Sequence, residues 1–100
     1  MPNDEDQSPH IPDAAFYDRA DAHIHLANEH GDAVGPEVAS ASFLFAASRY
    51  TAFLMATQAE SRQAMEAARD DAMKFFVGEF RRMLEGNVDD FLADFDRNSN

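Results

Sequence analysis

The apolar positions of the chain fall into three helical stretches separated by short polar or glycine-bearing breaks. Over residues 14–30, Phe16, Ala20, Ile24 and Ala27 recur at steps of four, four and three, which marks one stripe of a helix. Asp13 precedes that stretch as an N-cap, its carboxylate placed to accept from the free amides of the next turn. Gly31 follows as the residue able to take the left-handed conformation that ends a helix. Residues 32–35 make a short connection, and Pro36 opens a second helix, where a missing amide costs nothing. That helix runs to about Gln58, and its residues 41–56 are apolar almost all round. Such a helix belongs at the centre of a bundle or at an oligomer contact, because one-sided burial leaves Phe or Leu in water.

Ser61 is the next N-cap, and a third helix is expected from Arg62 to about Glu85. Met65, Ala68, Ala72, Phe75, Phe76, Phe80, Met83 and Leu84 mark its expected buried side. Glu66/Arg69, Asp70/Lys74 and Arg81/Glu85 are spaced as ion pairs on its wet side, each worth a few tenths of a kcal/mol. Gly86 interrupts the pattern. Asn87 then caps a short last segment in which Val88, Phe91, Leu92 and Phe95 restate a helical stripe. The expected fold is all-α, an antiparallel three-helix bundle with a short C-terminal helical segment, since short connections make neighbouring helices antiparallel. Residues 13–96 form the helical domain. Residues 1–12, with three prolines among acidic and amide side chains, read as a disordered acidic tail, and residues 97–100 as a disordered C-terminus.

Composition changes the picture in two ways. The formal net charge is −11, which opposes nucleic-acid binding, since that requires cations to displace phosphate counterions, and opposes anionic membrane surfaces. The same charge also keeps a small protein dispersed, with no partner needed to explain it. The chain has no cysteine, so disulfides, thiolate metal sites and cysteine nucleophiles are all excluded. The acidic, polar start is unlike a signal peptide, and the longest apolar run, residues 41–56, carries Arg49 and falls short of a membrane span. The expected location is cytoplasmic.

Three segments resemble a family of small bacterial all-helical proteins known only as a domain of unknown function: FYDRADAHIHLAN (residues 16–28), ASFLFAASRYTAF (41–53) and FVGEFRRMLEGNVDD (76–90). The resemblance extends over nearly all of residues 16–95 and excludes the N-terminal tail. It implies no activity, cofactor or catalytic residue. Gly86 stands where that family is expected to carry a helix former such as Glu.

Candidate chemistry is sparse. His23 and His25 lie about 200° apart on a helix and cannot share an ion. Asp18, Asp21, His25 and Glu29, spaced three, four and four, do share one helical ribbon and are the metal-ligand candidates. A single helix rarely supplies a whole coordination shell, and the plainer account is a solvated face of acid–histidine pairs. Asp89, Asp90, Asp94 and Asp96 make the last segment acidic around its apolar stripe, either a helix offered to a partner groove or the element that closes the bundle's end. Arg49 stands in the apolar run with no acid three or four positions away. Snorkelling to water is the plainer alternative, but bundle register puts Asp18, Asp70 and Asp71 at its level, and Arg49 is expected to form an interhelical ion pair with one of them, Asp18 first. No serine–histidine–acid order, phosphate-cradling glycine loop or paired buried carboxylates stands out, so the reading leans away from an enzyme, with no catalytic residues and no cofactor. The leading expectation is a non-enzymatic interaction or scaffold domain that self-associates, a homodimer being one form. The alternatives are a metal-binding or metal-regulated protein using the acid–histidine ribbon, and an acidic mimic that binds a basic protein.

Overall fold

A computed structural model describes residues 13–98, and these are helical almost throughout. The elements are α1 (Phe16–Val34), α2 (Pro36–Gln58) and α3 (Arg62–Asn98). The chain divides into two compact units, one ending at Phe53 and the other beginning at Leu54. The expected tail at residues 1–12 lies outside the described residues, as do residues 99 and 100.

The first unit contains α1 and most of α2. Asp13 accepts from the Ala15 amide at 2.9 Å, and its carbonyl accepts from Phe16 N–H at 3.0 Å, so it organises the turn ahead of α1. Its carboxylate also meets Arg19 at 3.2 Å. The expected end of this helix needs correction. Gly31 does not terminate α1, which continues to Val34, and the positive φ falls on Gly35 at 103°. The Gly35 amide donates to Gly31 O at 2.8 Å, closing the last turn. Glycine is required at residue 35 because a side chain at that φ clashes with its own backbone. Gly31 matters for proximity instead, since a Cβ there would sit 3.5 Å from Pro36 Cα and 3.9 Å from Ala39 Cβ. Farther along, the His23 and Phe43 rings stack at 6.4 Å between centroids. Contacts therefore advance along α2 as they step back along α1, and the two helices form a hairpin. Small residues occupy its tight side: Ala39 is buried, and Ala20, Ala27 and Gly31 are half-buried.

The second unit is built on α3, 37 residues long and about 55 Å at 1.5 Å per residue. Ser61 caps it as the sequence predicts, its Oγ accepting from Ala64 N–H at 3.0 Å. The separate C-terminal segment is not observed. The helix passes through Gly86 without a break and reaches Asn98, two residues beyond the expected limit at 96. A glycine inside a helix costs about 1 kcal/mol relative to alanine, too little to break a helix whose neighbours favour it. Arg81–Glu85 pairs as expected at 3.1 Å. Arg62 takes Glu66 at 3.5 Å in place of Arg69, and Arg69 takes Asp70 at 3.2 Å in place of Lys74. Glu79, buried at 8% exposure, pairs with Arg82.

A second correction concerns the core. The side of α3 expected to be buried is largely in water: Phe75, Phe76, Phe80, Met83 and Leu84 are all exposed. Eight of the nine phenylalanines are exposed and Phe16 is half-buried. Among the described residues, only Ala39 and Glu79 are buried.

Candidate interaction surface

A groove of about 870 Å³ runs along the α1–α2 hairpin in the first unit. His23, Leu26, Ala27 and His30 form its α1 wall, at steps of three, one and three that keep them on one helical face. Ser42, Phe43, Ala46, Ala47, Tyr50 and Thr51 form its α2 wall. No carboxylate, lysine or arginine lines it, in a chain carrying 19 Asp and Glu residues. The large rings at its rim are solvated, with Tyr50 64% exposed.

Helix α2 is apolar beyond this wall as well. Leu44 and Phe45 point in other directions around the helix, Phe53 and Leu54 continue the wall's own face one turn on, and all four are exposed. Its hydroxyls are partly satisfied from within. Ser48 Oγ donates to Phe45 O at 2.8 Å, Thr51 Oγ1 to Ala47 O at 2.9 Å and Thr57 Oγ1 to Leu54 O at 2.9 Å. Such back-bonding to the preceding turn leaves few polar groups in need of outside partners. By length and composition alone Pro36–Gln58 is long and apolar enough to cross a membrane, where the sequence reading counted only residues 41–56. The helix adds Val38 and Ala39 ahead of the apolar run of residues 41–56 counted from sequence alone.

Arg49 is exposed on α2, and Asp18 is exposed on α1. An Arg49–Asp18 ion pair is not among those formed by the described residues. Of the acid–histidine ribbon, the structure brings together His25 Nε2 and Glu29 Oε2, at 3.2 Å on the surface. Asp18 and Asp21 do not join them, and no group of three or more His, Asp or Glu side chains suited to a metal ion occurs among the described residues. The groove itself escaped the sequence reading, although its α2 wall was visible as an unusually apolar helix.

No curated protein and no solved structure matches the chain. Residues 16–92 do match a family, and this span contains all three segments on which the sequence resemblance rests. On that match, covering most of its length, the chain belongs to the family described as a protein of unknown function (DUF3144).

Proposed function

We infer that this protein is a non-enzymatic, self-associating interaction module whose α2 surface is covered by another copy of the chain. The observation that carries this reading is the exposure of Phe43, Phe45, Tyr50 and Phe53 around one helix. Each aromatic ring buries about 150–250 Å² when enclosed, and contiguous apolar surface on that scale is uncommon on a protein that works alone. The three-residue connection at Ala59–Ser61 and the single-residue connection at Gly35 favour an antiparallel arrangement of the three helices within each copy. In this reading a second chain buries the rings that the chain's own helices leave outward. A cytoplasmic location is part of the same proposal.

A membrane-spanning α2 is the second reading, favoured by the length and apolarity of Pro36–Gln58. Arg49 stands close to the midpoint of that helix, where a guanidinium costs roughly 2.5–3.5 kcal/mol in a bilayer. Association in water is therefore preferred. Light scattering on protein purified without detergent separates the two readings. A stable, defined oligomer supports self-association, whereas protein that stays in solution only with detergent, or floats with vesicles, supports the membrane.

A further inference from the structure

The C-terminal part of α3 differs from the rest of that helix in charge as well as in pattern. Residues 62–84 carry five basic and four acidic side chains, near balance, whereas residues 85–98 carry Glu85, Asp89, Asp90, Asp94 and Asp96 against Arg97 alone. Through this acidic stretch runs an apolar row, Leu84, Val88, Phe91, Leu92 and Phe95. Its steps of four, three, one and three hold it within about 100° of one helical face. All five side chains are exposed, Phe91 at 66% and Phe95 at 72%. The length of α2 alone leaves the two rings uncovered, whatever the angle at the connection through residues 59–61. Its 23 residues span about 34 Å, and Phe91 and Phe95 stand about 44 and 50 Å from the start of α3.

The acids are not spread evenly around the helix. Glu85, Asp89 and Asp96, at steps of four and seven, form a row that edges the apolar one beside Leu92, whereas Asp90 falls on the far face. The two rows meet in the structure, where Leu84, Val88, Glu85 and Asp89, with Arg81, line one concavity of about 510 Å³. Arg81 pairs with Glu85 and Arg97 with Asp94, while Asp89 and Asp90 form no ion pair among the described residues.

We propose that the face from Leu84 to Phe95 docks a basic protein partner, in an apolar cleft whose lysine or arginine rim lies along Glu85, Asp89 and Asp96. Helices are read in grooves through apolar anchors at these spacings. Charge complementarity sets the occupant, because the acids edge the apolar row and one of them, Asp89, has no cation of its own. A second copy would set five acids and one arginine against their like within a Debye length. An anionic membrane surface or a nucleic acid would be repelled in the same way. This surface lies on α3, apart from α2, and adds a different partner to the self-association proposed above.

The chain has no tryptophan, so a tryptophan placed in a peptide reports on the peptide alone. The probe is a helical peptide with a leucine face flanked by lysines and one tryptophan on that face, titrated with the full chain. Saturable binding with blue-shifted emission is expected, and it should weaken as salt rises. Phe91→Ala with Phe95→Ala is expected to weaken binding by about tenfold or more. Asp89→Asn is expected to weaken it by about two- to fivefold. Asp90→Asn makes the same charge change on the far face and should weaken it by less than about twofold. The aspartate pair keeps the test open if circular dichroism shows that the phenylalanine variant loses helicity. Equal weakening by Asp89→Asn and Asp90→Asn would mean general charge attraction and overturns the docking face. So does a fully helical phenylalanine variant that binds like the wild type. Failure of the lysine peptide to bind, or equal binding of a peptide with glutamates in place of the lysines, overturns the basic partner.

Discussion

At the residue scale, the clearest electrostatic assignment is Asp13. The hydrogen bond from Arg19, then the one from the Ala15 amide, holds its carboxyl below the ordinary carboxylate value. A depressed folded-state pKa means that the stabilising contribution is present above the unfolded value of about 3.9 and is lost as pH falls through the lower folded value. The start of α1 is thus expected to fray below about pH 4. An NMR titration following the Asp13 carboxyl and the Ala15 amide checks this, and a midpoint at or above the free-carboxylate value would contradict it. The glycines give an opposed pair of expectations. Gly35 at φ 103° meets no neighbouring atom, so Gly35→Ala is penalised by the backbone alone, by about 1 kcal/mol or more. Gly86 also meets nothing within 4 Å but is helical, so Gly86→Ala is expected to stabilise by about 0.5–1 kcal/mol. Thermal melts of the two variants should move in opposite directions, and a shared direction would sink the helical assignment at one of the two sites.

At the element scale, the sequence was informative wherever a local signal decides the outcome. Ser61 caps α3 because a hydroxyl beside free amides is a short-range matter, and Pro36 opens α2 for the same reason. The choice between Gly31 and Gly35 as the end of α1 was not legible locally. Both glycines can take positive φ, and proximity of α1 to Pro36 and Ala39 gives Gly31 a different use. Gly86 misled because breaker residues are read one at a time, whereas α3 forms cooperatively over 37 residues. The apolar stripes lie where the sequence reading put them, but the burial expected of them is not observed. Periodicity shows which face of a helix is apolar; it does not say whether the same chain or another covers that face. This is why Phe75 and Phe80 were expected in a core and are found exposed. The groove combines α1 and α2, so only its α2 wall could be read from a single helix. Arg49, expected to pair with Asp18, stands exposed on α2. Arg49→Met is accordingly expected to change stability by less than about 1 kcal/mol, measured by chemical denaturation.

At the scale of the whole molecule, two opposing terms set the behaviour of this chain. Exposed rings on α2 and α3 favour association, and a net charge of −11 per copy resists it. Salt screens the second term, with a Debye length of about 10 Å at 0.1 M falling to about 3 Å at 1 M, and leaves the first nearly untouched. Self-association is therefore expected to tighten as salt is raised, the reverse of what a charge-driven complex with a basic partner would do. The most direct measurement is the molar mass of the full chain in water, by light scattering across a range of concentration and salt. The account predicts a discrete multiple of the 11.1 kDa chain mass, a dimer in the simplest case, that persists to lower concentration at high salt. A single 11.1 kDa species with full helicity at every concentration and salt would contradict it.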